Sequence, residues 1–196
     1  GLSVAIANKS GVLRTDVAGL ADLSKGTEVQ TDHLFGIGSI TKTFVAVVIL
    51  QLVEDGRLSL QATAVDILGA DVVGAVPNAA QATIAQLLNH TGGVPSWEDD
   101  PLWIKEGRGA QQDVARVWSP EATLRYIEQT PATNAPGEQY AYANTNYTLL
   151  GLVIEHVCAN DLMDEICQRI LSPLQLNDIY LEGFQALPTA RLAKRY

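Results

Sequence analysis

Two cysteines in 196 residues, Cys158 and Cys167, supply no metal-ligand spacing. They read as two buried thiols near a helix–helix junction, and the alternative, a single disulfide, requires an oxidising compartment. Positive charge is scarce as well: 13 Lys and Arg against 22 Asp and Glu leave a formal net charge of −9. That balance argues against an electrostatic grip on nucleic acid or on an anionic membrane surface. No apolar run reaches the length that crosses a bilayer, because Phe44 to Val53 is interrupted by Gln51 and bounded by Glu54 and Asp55. A signal peptide is missing too, but the chain opens on Gly1-Leu-Ser-Val-Ala5, already strand-like. The expectation is a fragment or a processed form, so the missing leader says nothing about compartment. There is no internal repeat and no low-complexity segment.

What is present is globular. Apolar residues make up 47% and charged residues 18%, in a length that holds one large domain or two small ones. Leu2, Val4 and Ile6 alternate with small residues, Asn8-Lys-Ser-Gly11 reads as a turn, and Val12 to Val17 follows as a second strand. Ser39 to Asp55 predicts a helix that is apolar on nearly every side and therefore central to the core, ended by Gly56. Residues 58–74 show no clean period. Thr83 caps a short helix over 83–88, and Ser119-Pro120 starts another that runs to about Gln129. Tyr147 to Val157 is a second strongly apolar helix. Asp161 caps a third, with Leu162, Ile166 and Ile170 at helical spacing and Pro173 as its stop, and Ile179 to Leu181 reads as a short strand.

The stretch Gly36-Ile-Gly-Ser-Ile-Thr-Lys-Thr-Phe44 sets Ser39 three residues before Lys42, on one face of a helix start. A serine is a poor nucleophile until something takes its proton, and a lysine in apolar surroundings can do so. Two other readings stay open at this point. Ser39 can be an ordinary N-cap with Lys42 snorkelling outward. Gly36, Lys42 and Thr43 can be a phosphate-binding loop, except that Thr41 stands where its second glycine belongs and polar residues 28–33 precede it instead of an apolar strand. Further on, Tyr140-Ala-Tyr-Ala-Asn-Thr-Asn-Tyr147 puts polar groups just before an apolar helix. Asn144 or Thr145 can cap that helix, or Tyr142 and Asn144 can offer a phenol and an amide to shuttle a proton and orient a substrate.

Taken together, Ser39-Ile-Thr-Lys42 and Tyr142-Ala-Asn144 resemble the serine β-lactamase and D-alanyl-D-alanine carboxypeptidase family, in its class C-like branch with esterases and D-aminopeptidases. Phe35 to Phe44 is similar to that family's nucleophile segment. Leu87-Leu-Asn-His-Thr-Gly-Gly-Val-Pro95 is similar to its LLTHTSGLP stretch, and Pro136 to Tyr147 to its PGxxxxYSNTNY stretch. The resemblance implies an α+β, β-lactamase/DD-peptidase-like fold: an opening β-hairpin of an antiparallel sheet plus a mostly helical domain, with the sheet incomplete here. The expected organisation is 1–35 as hairpin and connection, 36–178 as the mainly helical domain, and 179–196 as the start of the return to the sheet.

The resemblance also implies roles. Ser39 would be the nucleophile that forms an acyl-enzyme, and its backbone N–H one oxyanion donor. Lys42 and Tyr142 would share general-base and general-acid work, and Asn144 would position Lys42 and the substrate. His90 would lie in a structural turn rather than in a triad. No cofactor or metal is implied, the substrate is a small molecule or peptide, and the compartment is periplasmic or secreted. One family motif is missing: no Lys or His followed by Thr or Ser and Gly occurs after Tyr142. The implication is an incomplete serine hydrolase that needs a C-terminal segment or a second chain to finish its sheet and site. The alternative is a catalytically silent domain that binds a ligand or partner. The segment 94–118 carries Trp97, Trp103 and Trp118, which either border the cleft or simply pack an irregular stretch.

Overall fold

The computed structural model describes residues 1–113 and 115–195. The chain divides into two compact units, one of residues 1–38 with 178–196 and one of residues 39–177. In the first unit, β1 (Leu2–Asn8) and β2 (Gly11–Ala18) form an antiparallel hairpin closed by the two residues Lys9 and Ser10. The register slips between Ile6 and Ala7, the extra residue of a bulge. All residues of both strands are exposed, among them Leu2, Val4, Ile6, Val12 and Leu13. A short second pair, β3 (Leu20–Asp22) and β4 (Thr27–Glu28), lies beside a small core of Ala21, Val29 and Ala193. Leu34 bridges Leu192, and Arg191 ties Asp178 through both guanidinium ends at 2.8 and 3.0 Å.

The expected strand at Ile179–Leu181 does not form. Leu181 is taken up by a turn: its carbonyl accepts from the Phe184 and Gln185 N–H groups, and its own N–H donates to Gln185 Oε1 at 2.8 Å. A residue bonded locally at both ends is not free for a ladder.

The second unit is helical: α1 (Thr41–Glu54), α2 (Ala64–Leu68), α3 (Ala70–Val73), α4 (Ile84–Leu88), α5 (Pro101–Trp103), α6 (Pro120–Leu124), α7 (Asn144–Cys158) and α8 (Leu162–Ile166). Its centre is α7, where residues 149–154 are buried without a break, and α1, α2, α4, α6 and α8 all pack against it. Gly151 serves that packing, since a Cβ there would stand 3.3 Å from Leu162 on α8. Both α2 and α4 begin with full capping boxes, Thr63 with Asp66 and Thr83 with Gln86.

Several expectations change here. Helix α1 is half-buried rather than apolar-packed all round: Val45, Val48, Ile49 and Leu52 form one stripe, while Val47 and Leu50 are exposed. Helix α7 starts at Asn144, three residues before Tyr147, and neither Asn144 nor Thr145 caps it. Asp161 stands at the start of α8 without a side-chain capping bond; the Leu162 N–H goes to Glu155 instead, at 3.1 Å. Cys158 and Cys167 are both free and half-buried, and burial pushes the Cys158 thiol up.

At the far end of α8, Glu165 is buried and receives Arg169 Nε at 2.8 Å and Asn160 Nδ2 at 2.9 Å, while Arg169 also reaches Asp55 at 3.0 Å. Those donors, Arg169 first, outweigh burial and hold the Glu165 carboxyl below its ordinary range. The stability this gives is present above the ordinary glutamate value and is lost as pH falls through the folded one. Arg169→Ala leaves the carboxylate buried without its ion partner. It is expected to lower stability by about 2–3 kcal/mol at neutral pH, and less in acid, read from urea unfolding at both.

Candidate active site

Ser39 lies in a 3-10 turn, Gly38–Ile40, that leads into α1, and Lys42 is in the first turn of the helix. Ile40 holds the N-cap position and makes no side-chain capping bond, so Ser39 is not a cap. Its exposed hydroxyl meets two partners: Tyr142 OH at 2.8 Å and Lys42 Nζ at 3.1 Å. Lys42 turns inward rather than snorkelling. It donates to Asn144 Oδ1 at 2.6 Å and sits 5.0 Å from the centroid of the Tyr142 ring and 5.7 Å from that of Tyr147. Tyr142 OH also donates to Asn144 Oδ1 at 3.3 Å. The four residues singled out in the sequence thus form one hydrogen-bonded cluster, all within the 39–177 unit. With Lys42 committed to Ser39 and Asn144, the phosphate-loop reading has lost its lysine.

The Tyr142–Asn144 segment is held by two seams. Along one, the turn at 90–93 runs beside 133–143: Thr133 N–H donates to Gly93 O at 2.9 Å, Gly137 N–H to Thr91 O at 2.7 Å and Ala141 N–H to His90 O at 2.8 Å. Asn78 Nδ2 locks the seam by donating to Gly92 O and Asn134 O at 3.0 and 2.9 Å. Gly93 has φ 68° there, and a Cβ would collide with the Asn134 carbonyl. Along the other, residues 95–98 grip the first turn of α7. Thr145 Oγ1 donates to Pro95 O at 2.7 Å and accepts from Trp97 N–H at 3.1 Å; Asn144 N–H donates to Ser96 Oγ at 3.1 Å.

Sequence reasoning missed Glu98 altogether. Asn144 Nδ2 donates to Glu98 Oε2, so the amide that accepts from Lys42 is held from behind by a carboxylate. Nothing in the order of residues 94–118 marks Glu98, because its position depends on Trp97 being pinned to α7. The tryptophans pack: Trp97 donates from Nε1 to Thr148 Oγ1 at 3.0 Å and meets Trp103 edge-on at 4.8 Å, and Trp118 lies between Tyr126 and Arg116.

The electrostatics follow from these contacts. Burial acts to raise the Tyr142 phenol, but hydrogen bonds to Lys42 and Ser39 and the Lys42 charge outweigh it, so it lies below its ordinary value. Burial raises Tyr147, and burial together with the Lys42 charge lowers His90. Among the described residues no cluster of three or more His, Cys, Asp or Glu gathers that could hold a metal, and no helix is long and apolar enough to cross a membrane. A hydroxyl in reach of both an amine and a lowered phenol, with an amide beside them, is equipped for acyl transfer.

The chain is similar to known proteins over most of its length. A D-stereospecific amidohydrolase from Streptomyces superposes with a TM-score of 0.76 at 34% identity, over 83% of this chain and 48% of that one. The D-amino acid amidase of Ochrobactrum anthropi, solved with D-phenylalanine, gives 0.80 at 26% identity, over 97% of this chain and 50% of that one. Esterase EstB of Burkholderia gladioli is 30% identical over 99% of this chain and 50% of its own length. The chain spans half or less of the length of these relatives. The family model described as Beta-lactamase matches residues 1–193, and the chain belongs to that family.

Proposed function

We propose that the chain carries the nucleophile side of a serine hydrolase that acts on amides or esters through an acyl-enzyme. The observation that carries this reading is the meeting of Ser39 Oγ with Tyr142 OH and Lys42 Nζ, at 2.8 and 3.1 Å. To start the cycle the pair must lack one proton, as phenolate beside ammonium or phenol beside amine. Ser39 Oγ attacks the carbonyl carbon and its proton passes to that pair. The oxyanion forms against the Ser39 backbone N–H. Collapse expels the amine or alcohol, protonated by Tyr142, and leaves an ester on Ser39. A water deprotonated by the same pair then releases the acid and restores the serine.

Substrates with a free amino group next to the carbonyl fit this site best. Glu98 brings a carboxylate beside Asn144, and its second oxygen has no partner among the described residues. Two similar structures are of a D-stereospecific amidohydrolase and a D-amino acid amidase, which makes D-amino acid amides the first class to assay. Glu98→Gln is expected to raise KM for a D-amino acid amide about tenfold to a hundredfold while leaving KM for the N-acetylated amide unchanged. Equal effects on both substrates would remove Glu98 from recognition.

The opposite wall of the site is proposed to come from outside residues 1–196, as a further segment or a second chain. The absence of a Lys/His-Thr/Ser-Gly tripeptide after Tyr142 supports this. So does the hairpin of β1 and β2, whose apolar residues are uncovered. The same openness favours a silent, ligand-binding role for the 196-residue chain taken alone. Assays of nitrocefin and p-nitrophenyl esters separate the cases: Ser39-dependent turnover by the 196-residue chain rules out silence. Turnover only in a longer chain supports the missing wall.

A further inference from the structure

Three consecutive residues of the site loop rest on His90. The Ala141 N–H donates to its carbonyl at 2.8 Å, its ring stacks on Tyr142 with centroids 4.5 Å apart, and the Ala143 N–H donates to its Nδ1 at 3.3 Å. Asn146 Nδ2 reaches the same nitrogen at 3.0 Å. The residue is only 8% exposed and has φ 60°, a conformation costly for most side chains. A backbone N–H cannot be turned round. Ala143 therefore makes Nδ1 an acceptor and places the proton of the neutral ring on Nε2. Asn146 must then present its amide nitrogen, which leaves its buried Oδ1 without a partner among the described residues. An orphaned oxygen is tolerated so that the acceptor at Nδ1 is kept.

We infer that His90 is a positioning residue: as a neutral acceptor it holds residues 141–143 so that the Tyr142 phenol meets Ser39, and protonating its ring disassembles that contact. The inference rests on the acyl-enzyme reading above. With a proton on Nδ1, the ring would face two donors, the Ala143 N–H and Asn146 Nδ2. The titratable groups around the ring are Lys42 from α1, Tyr140 and Tyr142 from the loop, and Tyr147 from α7. None is a carboxylate that would welcome an imidazolium. Burial and the Lys42 charge keep the ring neutral to a lower pH than an ordinary histidine, so the site is open at neutral pH and closes in acid.

Two variants test this. Asparagine tolerates the backbone conformation and can present Oδ1 where Nδ1 stood, without a proton to gain; phenylalanine keeps a ring and loses the acceptor. The readouts are the rate of fluorophosphonate labelling of Ser39 between about pH 4 and 9, and the NMR shift of the Tyr142 ring over the same range. His90→Phe is expected to label about a hundredfold more slowly. His90→Asn is expected to keep most of the neutral-pH rate and to lose the acid-range change in the Tyr142 resonance, its labelling then following only the limb set by the Lys42–Tyr142 pair. A Tyr142 resonance that shifts in acid alike in His90→Asn and wild type, or full-speed labelling of His90→Phe, overturns the inference. Should His90→Phe fail to fold, the acid-range Tyr142 resonance of His90→Asn decides alone. If wild type is not labelled but its Tyr142 resonance titrates in acid, and that of His90→Asn does not, the acyl-enzyme reading falls while the role of His90 stands.

Discussion

Ser39→Ala is expected to abolish covalent labelling by a fluorophosphonate and to lower turnover by about four to six orders of magnitude in the protein that carries the complete site. The size follows from what the hydroxyl does. In the proposed cycle it is the atom that bonds to the acyl carbon, and among the described residues the neighbouring hydroxyls of Thr41 and Thr43, on α1, make no hydrogen bond to Tyr142. The fold should hardly notice the loss, because Ser39 is exposed and caps nothing. Melting within a degree or two of wild type, combined with lost labelling, is the expected pair of results. Turnover within tenfold of wild type would show that another group is the nucleophile.

Lys42→Met has the second largest effect, about a thousandfold or more on kcat/KM, because one amine serves three groups. It donates to Ser39 Oγ and to Asn144 Oδ1, and its charge lowers the Tyr142 phenol. In the variant, burial is left opposed only by the Ser39 hydrogen bond, and the phenol rises from its lowered value. A base works above its pKa, so the ascending limb of the pH–rate profile is expected to move to higher pH, with the residual activity recovering in alkali. Ultraviolet titration of the Tyr142 phenol in wild type and variant reads the same shift without turnover. If the phenol titrates unchanged in Lys42→Met, the coupling between the two is wrong. Combined with Ser39→Ala, the Lys42 change is expected to add almost nothing, since residues that act as a unit fail together.

Local chemistry explains which parts of the fold were legible in the residues. The hairpin at β1 and β2, the cap at Thr83, the proline start of α6 and the glycine stop after α1 each depend on residues a few positions apart. Such signals are complete within one turn of chain. The misplacements share the opposite cause. Asn144 looked like a cap because its polarity was visible and its partners were not; 102 residues upstream, Lys42 claims its oxygen, and Glu98 claims its nitrogen. Ile179–Leu181 has strand-like residues, but the turn at 181–185 uses the backbone groups a strand would need.

By itself, the order of residues determined the types and spacing of the reacting groups: a serine and a lysine one helical turn apart, and a phenol and an amide two positions apart ahead of an apolar helix. Spacing of that kind sets what can lie on one face. Only the tertiary structure decided that the two pairs meet, that Glu98 joins them from a segment pinned to α7 by Thr145, and that His90 stands behind Tyr142. The seams at 90–93 and 95–98 join residues about fifty positions apart, and no local preference encodes them. Their geometry exists only once α7 is buried and its first turn has no other place to go.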